Sequence, residues 1–123
     1  MAVVFADMNG LKQVNDRQGH EAGDLMLKNA AMILQSSFVG DEIYRAGGDE
    51  FMILLEHTTE EDLRQKIEEI RKKSELFENV SFAVGSCMLG SRREIRSALS
   101  EADARMYKDK EACYRRNPEL KRR

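Results

Sequence analysis

The sequence predicts one α/β domain of the α+β kind, with helices flanking a central, mixed but mainly antiparallel sheet. The chain has 123 residues, which is the size of a single domain. Short apolar runs alternate with longer stretches in which apolar residues recur every three or four positions. A glycine pair separates two of the apolar runs, as in a hairpin. Together these patterns give the order strand, two helices, hairpin, helix, strand and helix.

The first strand is predicted at residues 3–6, a short apolar run rich in valine. Asp7 then lies at the carboxyl end of this strand, where open α/β sheets place their ligands. An aspartate that caps the following turn would explain the same position equally well. Gly10 precedes a short helical pattern, so backbone N–H groups there could face a phosphate. Lys12 would add a positive charge, or be an ordinary solvated lysine.

A longer amphipathic helix is predicted at residues 25–38. Asp24 directly precedes it and Asn15 lies near the end of the short helix, so both could be helix caps. They could instead bind a nucleobase. Guanine offers N–H donors to a carboxylate and an acceptor oxygen to an amide NH₂, whereas adenine would leave these groups unpaired.

The stretch 44–55 reads YRAGGDEFMILL and predicts a hairpin between strands at 42–46 and 51–56. Gly47 and Gly48 would take the positive φ values of a two-residue turn. The five apolar residues that follow predict a strand covered on both faces, which would hold Asp49 and Glu50 rigidly at the rim of the sheet. Two carboxylates there suit a divalent metal and a phosphate, but a purely structural turn explains them about equally well.

The second half of the chain predicts a helix from residues 59–61, a strand at 80–89, and a last helix from about residue 93 to Pro118. The resulting order, βααββαβα, is a ferredoxin-like core with additional helices, in which the first strand lies beside the hairpin. Asp7 and the Asp49-Glu50 turn would therefore share one end of the sheet. Acids that converge from two strands are what metal-assisted phosphoryl or nucleotidyl transfer requires.

Charge and composition exclude several classes of protein. Twenty basic against 22 acidic residues give a net charge of -2, which provides no general attraction to nucleic acid or to an anionic membrane. No apolar run approaches the roughly 18 residues of a membrane span, and the start lacks the pattern of a signal peptide. Cys87 and Cys113 lack metal-ligand spacing and a secretory context. We expect a cytoplasmic domain without direct membrane contact, in a parent protein that could be membrane-anchored elsewhere.

Four motifs follow one another along the chain: Asp7-x-Asn9-x-x-Lys12-x-x-Asn15-Asp16, Gly19-His20-x-x-Gly23-Asp24, Arg45-x-Gly47-Gly48-Asp49-Glu50-Phe51 and Ala102-Asp103-x-x-Met106-Tyr107-x-x-Lys110. In this order they resemble the motifs of the GGDEF family, the bacterial diguanylate cyclases, whose fold is similar to nucleotidyl cyclase and polymerase palm domains. The resemblance covers nearly the whole chain.

The resemblance implies that two GTP molecules condense to cyclic di-GMP with release of two pyrophosphates. One domain would hold one GTP, so a second GGDEF domain would complete a transient homodimer. Mg²⁺ (or Mn²⁺) would be bound by Asp7 and Asp49 with the Met8 carbonyl, and Glu50 would assist the metal or activate the hydroxyl. The implied substrate contacts are Asn15 and Asp24 to guanine, Lys12 and Lys110 to phosphates, and the turn residues Gly47 and Gly48.

Three features depart from the family pattern. The family's product-inhibition motif, Arg-x-x-Asp, reads Phe38-Val39-Gly40-Asp41 here, so bidentate capture of a product phosphate is lost and we expect no inhibition through that site. Gly-Arg-Asn does not follow Lys110, which leaves Arg115 and Arg116 as alternatives for contacting the triphosphate. The opening helix is missing, which predicts that 1–123 is one catalytic domain of a longer multidomain protein with an upstream sensory domain.

Three functions are consistent with the sequence. An active diguanylate cyclase is favoured because the glycines, both turn carboxylates and Asp7 are all present. A catalytically silent GTP-binding regulatory domain is the alternative. A palm-type polymerase ranks third, since no basic stripe or aromatic platform for a nucleic-acid template is visible.

Overall fold

The structure, a computed structural model, describes residues 1–76, 80–89 and 95–116. Its elements follow the predicted order βααββαβα. They are β1 (Ala2–Met8), α1 (Leu11–Gln18), α2 (His20–Ser37), β2 (Glu42–Arg45), β3 (Glu50–Leu55), α3 (Glu60–Glu75), β4 (Phe82–Met88) and α4 (Ile95–Arg116). The predicted start of the last helix near residue 93 and its predicted end at Pro118 lie outside the described residues. No described helix is long and apolar enough to cross a membrane.

The four strands form one sheet in the order β2-β3-β1-β4. The predicted ferredoxin-like arrangement, with the first strand beside the hairpin, is confirmed. Instead of a mixed sheet, each of the three pairings is antiparallel. Asp7 lies directly opposite Glu50 across the β1–β3 pair. The end of β1 and the start of β3 therefore meet at one end of the sheet, as the sequence predicts.

The main core lies between the sheet and the pair α2 and α3. Alternate residues of β1 and β3 supply the sheet side, and the helices supply side chains such as Ile33, Leu34 and Ile70. Truncating one such buried aliphatic residue to alanine typically costs about 2–5 kcal/mol. On the other face α4 packs on β4 and β1. Gly85 permits this close approach, since a Cβ atom there would lie 2.1 Å from the Met106 backbone nitrogen.

The prediction that the strand after the glycine pair is covered on both faces is wrong. Phe51, Ile53 and Leu55 are buried against α2 and α3, but Met52 and Leu54 are only half-buried on the opposite face. The cause is the position of α4, which covers β4 and β1. A purely apolar run thus does not distinguish a strand buried on both faces from one whose second face is only partly covered.

The long helix begins at His20, earlier than predicted. Gly19 has a φ of 91° and donates its N–H to the Asn15 carbonyl, which ends α1 and allows α2 to start at the next residue. Gly23 and Met26, both buried, continue the helical spacing of the core face toward the amino terminus. Asp24 therefore lies exposed within α2 and does not cap it.

Side chains of α4 satisfy the outer edge of β4. Asp109 Oδ2 accepts the Val84 N–H at 2.8 Å, and Arg105 donates to the Ser86 carbonyl at 2.6 Å. Arg71 from α3 also donates to Asp109 Oδ2, at 3.1 Å. These bonds replace part of the ladder that a further strand would make. They fix the register of α4 on the sheet, and with it the position of Lys110, the residue after Asp109.

Candidate active site

The loop between β2 and β3 is longer than the predicted two-residue turn. It spans residues 46–49 and is closed by the Ala46 N–H, which donates to the Glu50 carbonyl at 2.8 Å. Among the described glycines, positive φ occurs at Gly10, Gly19 and Gly40. The prediction of positive φ at Gly47 and Gly48 is therefore wrong, because a four-residue loop does not need the mirror-image turn of a two-residue one.

The backbone of this loop is held by the guanidinium of Arg45. This group donates to the Gly48 carbonyl at 2.6 Å and to the Gly47 carbonyl at 3.1 Å. A Cβ atom added at Gly48 would meet nothing within 4 Å, and one at Gly47 only the Glu50 Cβ at 3.9 Å. The two glycines leave the surface of the loop open, so a phosphate chain can approach its backbone closely.

The end of β1 is fixed on both sides by backbone bonds. The Met8 N–H donates to the Asp49 carbonyl at 2.8 Å, and the Asn9 N–H donates to the Ser81 carbonyl at 2.9 Å. The buried Asn9 side chain adds a bond from Nδ2 to Ser81 Oγ at 3.0 Å. Sequence reasoning assigned no role to Asn9 or Ser81. Asn9 stood inside a recognised motif, but no local pattern connects Ser81 to it.

Lys110 of α4 connects the two predicted metal-binding acids. Its Nζ atom lies 2.8 Å from Asp7 Oδ1 and 3.9 Å from Asp49 Oδ2. The side chains of Lys110 and Asp7 are only 20% and 11% exposed. On another side, the ammonium lies 5.7 Å from the centroid of the Tyr114 ring, within reach of a cation–π contact. The structure thus brings Asp7, Asp49 and Lys110 together at the end of the sheet.

The acids of the site exceed what one lysine neutralises. Burial raises the pKa of Asp7, and Asp49 raises it further, against the lowering effect of Lys110. Burial also raises the pKa of Glu50, as do the charges of Asp7, Asp103 and Asp49. For Lys110, burial lowers the pKa, but the contact with Asp7 outweighs this and the pKa is raised overall. A second positive charge would relieve the repulsion among the carboxylates.

The structure also places the two predicted guanine ligands near each other. The Asn15 side chain lies against Gly23, where an added Cβ would come within 1.7 Å of Asn15 Oδ1. Asp24 follows Gly23 directly and is exposed. Sequence reasoning missed Gly23 as the residue that makes room for the amide. Its signal was present, since a glycine inside a helix usually marks a close approach.

The predicted phosphate ligands lie on two different elements. Lys12 is exposed on α1, one turn before Asn15, while Lys110 is turned toward the acids. Gly10 begins α1 with a φ of 77° and without a side-chain cap, so the first N–H groups of this helix remain available to an anion. Arg115 and Arg116 are exposed in the last turn of α4, and both remain alternatives for a triphosphate contact.

Within the described ranges, no three acidic, histidine or cysteine side chains are grouped closely enough to hold a metal ion. The chemical type of the side chains nevertheless suits a hard divalent cation. Asp7 and Asp49 already face one cation, the Lys110 ammonium, and carboxylate oxygens are the ligands that Mg²⁺ and Mn²⁺ accept. These two residues would hold such an ion.

Known proteins are similar to this chain in sequence and in fold. MucR of Pseudomonas aeruginosa, a bifunctional diguanylate cyclase/cyclic di-GMP phosphodiesterase, is 34% identical over 119 residues, which cover 89% of this chain and 17% of MucR. The probable diguanylate cyclase DgcJ of Escherichia coli is 32% identical over 112 residues, covering 88% of this chain and 23% of DgcJ. The chain thus spans about a fifth of the length of these curated relatives.

The fold is equally well matched among solved structures. The active GGEEF domain of a diguanylate cyclase from Vibrio cholerae superposes with a TM-score of 0.80 at 28% identity, over 90% of this chain and 76% of that one. The family model described as "Diguanylate cyclase, GGDEF domain" matches residues 1–116. The chain therefore belongs to the GGDEF domain family of diguanylate cyclases.

Proposed function

We propose that this chain is a catalytic diguanylate cyclase domain, which condenses two GTP molecules into cyclic di-GMP and two pyrophosphates. The observation that carries the proposal is the convergence of Asp7, in β1, and Asp49, in the glycine loop before β3, on one cation, the Lys110 ammonium. The names of MucR and DgcJ as diguanylate cyclases support the same activity.

In the proposed reaction, the 3′-hydroxyl of each GTP attacks the α-phosphate of the other. A bond forms between the 3′-oxygen and phosphorus, the bond to pyrophosphate breaks, and the hydroxyl proton is released. Asp7 and Asp49 would hold Mg²⁺ or Mn²⁺, which when bound would neutralise phosphate charge and lower the pKa of the hydroxyl. Glu50 lies beside them, and its raised pKa makes it a better acceptor for that proton.

The rest of the proposed site orients the nucleotide. Asn15 and Asp24 bind the guanine edge from α1 and α2, and this pairing selects guanine over adenine. Lys12 and Lys110 bind phosphate oxygens. Gly47 and Gly48 present loop backbone without side chains in the way. These contacts place the α-phosphate at the end of the sheet, where the acids converge.

The reaction needs two copies of the domain, since each supplies one of the two nucleotides. A two-fold arrangement brings the two sites face to face and makes both bond-forming steps equivalent. Any sensory domain in the parent protein would then control activity by setting the effective concentration of one domain near the other. The domain alone is expected to dimerise only transiently.

The test is a turnover assay on the chain fused to a parallel dimeric coiled coil. GTP and Mg²⁺ are supplied, and nucleotides are separated by chromatography. Cyclic di-GMP is expected from the fused wild-type chain, at a much lower rate from the unfused chain, and not from the fused Glu50→Gln variant. Product formed equally well by Glu50→Gln, or no product and no GTP binding, would contradict the proposal.

A catalytically silent, GTP-binding regulatory domain is the second candidate. It is favoured by one observation, that the Lys110 ammonium lies 2.8 Å from Asp7 Oδ1, an oxygen of a proposed metal ligand. In the same assay this function gives Mg²⁺-dependent GTP binding by the fused chain but no cyclic di-GMP. A palm-type polymerase is distinguished by adding DNA or RNA, which changes neither binding nor turnover for the first two candidates.

A further inference from the structure

Lys110 occupies a cage formed by groups from three elements. Asp7 comes from the end of β1, Asp49 from the loop before β3, and Tyr114 from the next turn of α4. The neighbouring Asp109 anchors α4 to the backbone of β4 and to Arg71. The ammonium is therefore not on a freely moving surface chain. It lies between two carboxylates and an aromatic ring at this end of the sheet.

This position conflicts with simple binding of a divalent ion. A metal ion that uses Asp7 Oδ1 and an Asp49 oxygen must approach an ammonium that is 2.8 Å and 3.9 Å from these same acids. Like charges at such separations repel strongly where burial reduces screening by water. Either the ammonium leaves the carboxylates or the metal binds weakly. An ammonium that leaves loses the carboxylate that offsets its partial burial, so another anionic partner within reach favours its departure.

Nucleotide phosphates supply such a partner. We propose that Lys110 couples metal binding to nucleotide binding: it excludes a free divalent cation by pairing with Asp7, and it admits the cation when a nucleoside triphosphate offers the ammonium a phosphate oxygen instead. The inference rests on the proposed metal-binding role of Asp7 and Asp49. Coupling of this kind is reciprocal, so the metal must also strengthen nucleotide binding by the same factor.

The proposal differs from a purely structural role for the ion pair. A structural lysine would stabilise the end of α4, and its removal would leave metal affinity unchanged or weaken it by loosening the acids. Removal of a lysine that competes with the metal has the opposite effect on metal affinity. Its removal must strengthen binding of the metal alone, and must also diminish the benefit that nucleotide gives to the metal.

The experiment measures Mn²⁺ binding to the whole chain by the electron paramagnetic resonance signal of free Mn²⁺, with and without a non-hydrolysable GTP analogue. Without nucleotide, Lys110→Met is expected to bind Mn²⁺ at least about tenfold more tightly than wild type. The analogue is expected to strengthen Mn²⁺ binding to wild type by at least about tenfold, and to Lys110→Met by much less. Lys110→Gln, which keeps a polar side chain, serves as a second variant should the methionine disturb folding.

Two controls make the outcomes separable. Lys108→Met removes an exposed charge of the same helix and is expected to match wild type. Asp7→Asn is expected to abolish binding in every background. Unchanged or weaker Mn²⁺ affinity in both Lys110 variants, with dependence on Asp7 retained, overturns the coupling alone. Mn²⁺ binding that ignores Asp7 in all chains overturns the coupling together with the metal site of the proposed function.

Discussion

Two partly buried lysine–aspartate pairs in this domain look alike but are surrounded differently. Lys110 approaches Asp7 at 2.8 Å, with 20% and 11% of the two side chains exposed. Lys66 approaches Asp41 at 2.9 Å, with 31% and 14% exposed. The first pair lies at the proposed catalytic end of the sheet. The second lies where the family's product-inhibition motif would fall in the sequence.

The difference lies in the groups around each lysine. The Lys110 ammonium also faces Asp49, and burial and neighbouring acids raise the pKa of Asp7. The Lys66 ammonium lies 5.9 Å from the centroid of the Phe38 ring, which is 1% exposed and part of the core. The first cluster has further acids beside its pair, and they attract another cation, whereas the described contacts of the Lys66 ammonium are one carboxylate and one aromatic ring. The neighbours of an ion pair, more than the pair itself, decide whether its cation can be exchanged.

The largest expected effect is on turnover by the dimerised chain. Asp7→Asn removes a proposed metal ligand and is expected to lower the rate of cyclic di-GMP formation by about 100-fold or more, the usual cost of losing a group that stabilises transition-state charge. Asp41→Asn makes the same chemical change at the other pair and is expected to stay within about twofold of wild type. Chromatographic initial rates measure both, and equal losses would erase the distinction between the pairs.

A smaller effect is expected at the guanine end of the site. The Cβ atom of Gly23→Ala would lie 1.7 Å from Asn15 Oδ1 and must push the amide away from its position. Loss of one hydrogen bond to guanine should raise KM for GTP by about tenfold, with a smaller change in kcat. Gly40→Ala is the control, since it strains a backbone with φ of 83° beside Asp41 but should leave KM unchanged.

Inhibition by cyclic di-GMP should be the same for the wild type and for variants of Asp41. Phe38 stands in place of the motif's arginine and is buried, and Lys66 already binds Asp41. Absence of product inhibition through this site stays a prediction of the sequence. Product titrations of wild type and Asp41→Ala should superpose within about twofold. Tight binding that Asp41→Ala abolishes would contradict it.

The smallest expected effect is on stability without metal. The folded-state pKa of Glu50 is raised above its ordinary 4.5, so the folded protein holds this proton longer than the unfolded chain. Its contribution to stability is present at low pH and is lost as pH rises through the folded pKa. In chelator, Glu50→Gln should therefore exceed wild type in free energy of unfolding at pH 7 by a few tenths of a kcal/mol, after screening by water.

Urea unfolding at pH 7 and below pH 4 measures this difference, which should vanish at the lower pH. Glu56→Gln, at an exposed position after the other end of β3, should match wild type at both. Asp41→Asn should have the opposite sign at pH 7 and destabilise the protein by up to about 1 kcal/mol, because it removes the partner of Lys66. If Asp41→Asn instead raised the free energy of unfolding at pH 7, the Lys66–Asp41 pair would not differ from the Lys110 cluster in its effect on stability.

The element order and the shared end of the sheet could be predicted because both follow from local patterns. Apolar periodicity predicts the strands and helices, and the ferredoxin-like order then predicts that Asp7 and the Asp49-Glu50 turn share one end of the sheet, where the structure has Asp7 opposite Glu50. The conformation of the loop between β2 and β3 could not be predicted, since two glycines are compatible with either a two-residue or a four-residue loop. The half-covered face of β3 depends on where α4 packs, which the sequence of β3 does not contain.

Contacts between residues far apart in the chain could not be predicted from the sequence either. The bond from Asn9 to Ser81 joins residues 72 positions apart, and the approach of Lys110 to Asp7 depends on the anchoring of α4 by Asp109. The sequence predicted a phosphate role for Lys110 from family resemblance. It could not predict that this ammonium pairs with Asp7 and lies near Asp49.

The most direct test of the central claim, that the acids around Lys110 form the nucleotide site, is calorimetric titration with a non-hydrolysable GTP analogue. Wild type, Asp49→Asn and Asp41→Asn are compared with and without Mg²⁺. Wild type and Asp41→Asn are expected to bind with the same Mg²⁺-dependent affinity, and Asp49→Asn at least about tenfold more weakly. Binding that survives in Asp49→Asn, or is lost in Asp41→Asn, would contradict the account.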